Sequence, residues 1–111
     1  MYRQGEIVLL PVPFTDLSSS KKRPVLIISD DKYNVGSQDM IVVAITSNPT
    51  QTGIPITNSD MISGQLPKPS IIRGDKIYTL NQGIVIKSIG SISKTIQDSV
   101  KSEICRLIGV S

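Results

Sequence analysis

A mainly β fold closed by one C-terminal helix is what this 111-residue sequence predicts. Short runs rich in Ile, Val and Leu recur along the chain, separated by Gly, Pro, Asn and Ser at intervals of roughly 8–12 residues, the rhythm of an all-β domain. Each run is too short for an ordinary helix and rich in β-branched residues. Only the last segment changes period: Ile96, Val100, Ile104, Leu107 and Ile108 recur at spacings of four, four, three and one, one face of a helix. The pattern predicts a small, curled antiparallel sheet or barrel followed by that helix.

The elements follow in order. Residues 6–14 form an aliphatic strand whose Pro11 and Pro13 suit a sheet edge or end. Residues 15–22 read as a polar loop and 23–29, nearly continuous in apolar residues, as a buried strand. Residues 30–38 carry turn chemistry at Asn34 and Gly36, with room for one helical turn before them. A strand over 39–47 ends in two hydroxyl residues, 53–58 is a short edge strand, and 61–70 is an irregular connection. Residues 71–80 form a strand, 81–83 a turn, and 84–93 a half-buried strand. The helix takes Thr95 as N-cap, Asp98 in its first turn and Gly109 as its stop.

Hydrophobic content of 39% and charged content of 19% describe a globular chain, and its length fits one domain over 1–111. Aromatics make up only 4%, so the core rests on aliphatic side chains. The net charge of +3 favours an acidic partner. There is no His, and Cys105 is the single cysteine, which excludes a disulfide framework, a Cys/His zinc site and His-based catalysis. No signal-peptide pattern and no apolar span of about 20 residues is present, so no membrane association and a cytoplasmic location are expected.

Three places carry candidate chemistry. Lys21, Lys22 and Arg23 lead into a buried strand, and Pro24 holds Arg23 in extended backbone. Thr46 and Ser47 end another strand. Arg73 and Asp75 flank Gly74 on a third, where two-residue spacing puts both on one face. Plainer readings stand beside each: a solvated basic loop, ordinary turn chemistry, and an ion pair closed on itself. Arg73-Gly74-Asp75 also spells an adhesion motif, which the lack of an export signal disfavours.

In series, these stretches resemble the MazF/PemK family of toxin endoribonucleases. The likeness runs through "GEIVLL", "KKRPVLIIS", "VVAITS" and "SIIRGDKIYTLNQ", and closes with "IGSIS" and the amphipathic helix. It implies a small SH3-like barrel of the CcdB/MazF type, a homodimer, and cutting of single-stranded messenger RNA. Arg23, Thr46, Arg73 and Asp75 match positions implicated in cleavage, and Ser47 matches the substrate-contacting neighbourhood. Some members carry a His in the loop matching 15–22; this chain has none, and Lys21 or Lys22 stand as its electrostatic substitutes. The resemblance also implies an acidic, partly disordered antitoxin whose apolar residues dock beside residues 15–22 and 48–53. Two other readings are a non-catalytic gyrase-inhibiting toxin of the CcdB type and an RNA-binding barrel without activity.

The implied chemistry suits the residues. RNA carries its own nucleophile, the ribose 2′-hydroxyl, so cleavage needs alignment, proton transfer and charge stabilisation, with no metal or other cofactor. Two guanidinium groups suit the charge stabilisation because each can meet phosphate oxygens in a planar, two-point contact. Asp75 is the one acidic candidate for proton acceptor, and an unperturbed Asp, with a pKa of about 3.9, is a weak base at neutral pH.

Overall fold

The computed structural model describes residues 1–12 and 21–110; the expected strand end at 13–14 and loop residues 15–20 lie outside them. The strands are β1 (Glu6–Val12), β2 (Lys21–Ile27), β3 (Asp39–Thr46), β4 (Ile54–Ile56), β5 (Met61–Gly64), β6 (Ser70–Asn81) and β7 (Lys87–Ile92). Two helices join them, α1 (Asp31–Gly36) and α2 (Lys94–Leu107). The strands form one antiparallel sheet in the order β4-β6-β3-β2-β1-β7-β5.

Its two edges, β4 and β5, are consecutive in the chain and separated only by Thr57–Asp60. Extended chain spans at most about 3.6 Å per residue, so so short a link can serve opposite edges only if the sheet curls into a half-barrel. The link is a 3₁₀ turn (Asn58–Asp60) with a capping box, in which the Thr57 N–H donates to Asp60 Oδ2 at 2.8 Å.

The apolar runs are near-continuous because β1, β2 and β3 are covered on both faces. Ile7, Leu26 and Val43 point into one cluster with Ile72, Ile92 and Val100. Their neighbours Val8, Val25 and Val42 point into the other with Leu10, Ile27 and Met40. All twelve of these side chains are 0–1% exposed. Fully burying a Val, Leu or Ile side chain contributes about 1.5–3 kcal/mol, so this double core carries a chain almost without aromatics.

Helix α2 closes the first cluster with Ile96, Val100 and Ile104. Its N-cap is Ser93, two residues before the expected Thr95: Ser93 Oγ accepts from the Ile96 N–H at 3.3 Å. Gly109 follows the helix with φ +84, the left-handed geometry of a C-terminal stop. The end of the apolar stripe leaves the core, since Leu107 and Ile108 are 53% and 67% exposed.

Three further boundaries differ from expectation. Lys21 and Lys22 belong to β2, paired with Val12 and Pro11 of β1. Residues 61–64, expected to be irregular, form β5 on β7, where Gly64 faces Gly90 and a Cβ on either would strike backbone. Strand β7 starts at Lys87, after a 3₁₀ turn over Gln82–Ile84.

Candidate active site

Strands β2 and β3 pair only over Val25–Ile27, with Val25 opposite Ala44. The Ile28 N–H donates to Ile41 O at 2.9 Å, so by alternation Leu26 and then Pro24 are the next residues of β2 to turn their backbone toward β3. Pro24 has no N–H to give. Pairing stops there, and β2 and β3 part. Strand β3 continues against β6 alone, with Thr46 opposite Ile71. Arg23 and Thr46 therefore stand on the two arms of a fork.

Two clefts share that fork. A cleft of about 260 Å³ is lined by Arg23, Thr46, Gln51, Arg73, Lys76 and Tyr78 with the backs of both strands. A second, of about 430 Å³, is lined by Lys21, Lys22, Arg23, Thr46, Ser47 and Lys68 with apolar neighbours. Arg23, Pro24, Ile45 and Thr46 border both. Lys21, Lys22, Arg23, Lys68, Arg73 and Lys76 bring cationic groups to these walls, and none of the described lining residues is acidic.

Arg73 reaches its cleft through a break in the sheet. Val43 of β3 lies opposite Ile77 of β6, but the next residue, Ala44, lies opposite Arg73, so Gly74, Asp75 and Lys76 bulge out of the ladder. Arg73 and Asp75 close on each other across Gly74: Arg73 Nε donates to Asp75 Oδ1 at 3.0 Å and Nη2 to Oδ2 at 2.9 Å. Arg73 Nη1 donates to Gln51 Oε1. These three bonds use three of the five N–H groups of a guanidinium, leaving one on Nη1 and one on Nη2 outside them. The hydrogen bond from Arg73 holds the Asp75 carboxyl below the ordinary carboxylate range, outweighing the opposing effect of desolvation. The same bond raises the Arg73 guanidinium.

The turn after β3 supports this arrangement. Thr46 Oγ1 accepts the Asn48 N–H at 3.1 Å, so its own O–H proton is still available to donate. The Gln51 N–H donates to Asn48 O at 3.2 Å, and Asn48 Oδ1 accepts the Thr50 N–H at 3.0 Å. Thr46 thus has the turn role expected of a strand-ending hydroxyl and also lines both clefts.

Six of the seven sequence candidates border the clefts: Arg23 and Thr46 both of them, Arg73 the first, and Lys21, Lys22 and Ser47 the second. Asp75 sits behind Arg73, lining a separate hollow with Glu103 and Arg106. Gln51, Lys68, Lys76 and Tyr78 also reach the clefts, and sequence reading missed them. Lys76 was the nearest to being found, one residue beyond Asp75.

A model of the PemK-like, MazF-like toxins of type II toxin–antitoxin systems matches residues 3–108. Endoribonuclease MazF6 of Mycobacterium tuberculosis is 28% identical over 96 residues, covering 80% of this chain and 80% of that protein. Among solved structures, an endoribonuclease in complex with its cognate antitoxin from mycobacterial species superposes with a TM-score of 0.77 at 15% identity, over 100% of this chain and 98% of that one. MazF from Deinococcus radiodurans gives 0.74 at 17% identity, over 97% and 96%.

Proposed function

The chain belongs to the PemK-like, MazF-like toxin family of type II toxin–antitoxin systems, and from that premise we propose that it cuts single-stranded RNA by attack of the ribose 2′-hydroxyl. One observation carries the assignment of residues: Arg23 and Thr46 on the fork of β2 and β3, and Arg73 at the β6 bulge, line one cleft.

In the proposed reaction the 2′-oxygen attacks the adjacent phosphorus and loses its proton, and the 5′-oxygen of the next nucleotide leaves and gains one. The products are a 2′,3′-cyclic phosphate and a 5′-hydroxyl. Arg23 and Arg73 offset the charge that builds on the non-bridging oxygens through charge-assisted hydrogen bonds. Thr46 donates its O–H to the same phosphate and fixes its position. Asp75, held ionised by Arg73, sets the direction of that guanidinium and is too weak a base to drive the reaction at neutral pH. Lys21, Lys22, Lys68 and Ser47 hold the strand on the other side of the fork.

The protein is proposed to act in the cytoplasm as a two-fold homodimer, which would cover the apolar end of α2 at Leu107, Ile108 and Val110. Its inhibitor is proposed to be an acidic, partly disordered antitoxin that occupies the same basic clefts. Among the described residues, no helix is long and apolar enough to cross a membrane.

The deciding experiment incubates the purified protein with a long, mostly single-stranded RNA in excess chelator and maps the ends. Cyclic phosphate and 5′-hydroxyl ends at a short recurring motif are the expected result. Intact RNA would reject the nuclease reading and leave the non-catalytic toxin and the inactive RNA-binding barrel, and cleavage only on adding a metal would reject the mechanism.

A further inference from the structure

Helix α2 lies behind the bulge that carries Arg73 and Asp75. The Gly74 N–H, displaced from the β3 ladder, donates to Glu103 Oε1 at 3.2 Å. Gly74 is buried, and a Cβ on it would meet the Glu103 carboxylate, so a side chain at 74 would push that carboxylate from its present place. Glu103 and Asp75 line a common hollow of about 330 Å³ with Thr52, Arg106 and Leu107. The Glu103 charge also acts on Arg73, raising its pKa in the same direction as Asp75 does.

We infer that Glu103 is a positioning residue for cleavage: its carboxylate oxygen holds the Gly74 amide, fixes the three-residue bulge, and so sets where Asp75 presents Arg73. This rests on the proposed role of Arg73 in RNA cleavage. A bulge leaves its extra residues without cross-strand partners and re-aims the side chains beside it, so another contact must fix its position. Misplacing a reacting group by about 1 Å costs on the order of 100-fold in rate.

The test uses Glu103→Ala and Glu103→Gln in the full chain. The Gln amide keeps a carbonyl oxygen for the Gly74 N–H; Ala keeps none. Glu103→Ala is expected to lower kcat by about 10- to 100-fold with KM within about threefold, and Glu103→Gln to recover kcat to within about threefold of wild type. Amide hydrogen exchange at Gly74 should be slow in the wild type and in Glu103→Gln, and fast in Glu103→Ala. Wild-type kcat in Glu103→Ala would overturn the inference. So would a Gln variant as slow as the Ala variant, or a change confined to KM. If Glu103→Ala does not fold, an unprotected Gly74 amide in the wild type still refutes it. A wild-type protein that cuts no RNA defeats the functional reading, while the exchange measurement continues to test the Glu103–Gly74 contact by itself.

Discussion

Arg73 and Asp75 grip each other through two parallel hydrogen bonds, at 3.0 and 2.9 Å, although the strand that carries them leaves its ladder between the two. The Arg73 side chain is 16% exposed and that of Asp75 47%, so the arginine lies against the cleft wall with its partner on the solvent side. The pair spends one edge of the guanidinium and Gln51 takes a proton of Nη1, so one N–H on Nη1 and one on Nη2 lie outside these bonds.

Removal of either cationic wall group should therefore stop most chemistry. Arg23→Ala and Arg73→Ala are each expected to lower single-turnover cleavage by about 100- to 1,000-fold, the usual loss when one well-placed charge stabiliser goes. Circular dichroism and thermal unfolding should stay near wild type. A folded variant that cuts at the normal rate removes that arginine from the mechanism.

Acid should weaken the Arg73–Asp75 pair, and base within the neutral range should not. The folded pKa of Asp75 is lowered, so its stabilising contribution is full above the ordinary carboxylate value of about 3.9 and is lost as pH falls through the lower folded value. With a carboxylate this exposed the contribution is small and screened by salt. Carbon NMR of the Asp75 carboxyl should report a midpoint below that of a model peptide. Any change of cleavage rate between pH 6 and 9 should persist in Asp75→Asn; its disappearance would make Asp75 the base.

Salt dependence should separate the second cleft from the first. Lys22→Ala and Lys68→Ala are expected to weaken binding of a non-cleavable single-stranded RNA at every sequence alike, each reducing the slope of log K against log salt by about 0.7. An unchanged slope would mean that the lysine touches no phosphate.

A stability test lies away from the clefts, in a buried polar knot. Asn34 is 1% exposed, and its Nδ2 donates to Tyr2 O and Ser29 O, both at 3.1 Å. The Ser29 hydroxyl donates back to Asn34 Oδ1 and accepts the Ile41 N–H at 3.0 Å. Asn34→Ala strands these groups and should cost about 1–3 kcal/mol in urea unfolding. An unchanged midpoint would show that water replaces the amide.

Assembly is tested by light scattering. The expected mass is twice the 12.0 kDa of one chain at micromolar concentration. A 12.0 kDa particle would remove the two-fold dimer, and Leu107→Asp should shift the balance toward that particle if α2 ends in the interface.

Much of this architecture was legible because the covalent pattern and the fold obey the same periods. The runs 23–29 and 39–47 read best as strands, being short, branched and apolar, and they hold the cores of β2 (Lys21–Ile27) and β3 (Asp39–Thr46), while the four-residue rhythm from Ile96 marks α2. Strand β5 was hidden because Met61-Ile62-Ser63-Gly64 owes its pairing to close approach at Gly64 and Gly90, which propensity does not register. Two-residue alternation put Arg73 and Asp75 together, and they are together. The cause is their own hydrogen bonds, since the bulge suspends alternation there. Gln51 and Glu103 were beyond reach: each acts through a contact spanning more than twenty residues, and neither belongs to a residue type that announces itself. The helix reading followed its apolar stripe and passed over Glu103, the residue next to Ile104.

The missing hydrogen on Pro24 also bears on the cost of recognition. Groove-forming proteins that must first break contacts, or reorder a lid, lose that free energy from every complex they make. Here the β2–β3 ladder ends beside Pro24, which keeps its carbonyl but lacks the N–H that would supply one of the two bonds of the next rung. The recess is a seam written into the covalent structure, and on the proposed function an incoming strand would find it preorganised. Any other residue at position 24 would restore a donor on the edge of β2 that faces β3, and with it the means to carry the ladder one rung toward Arg23 and Thr46.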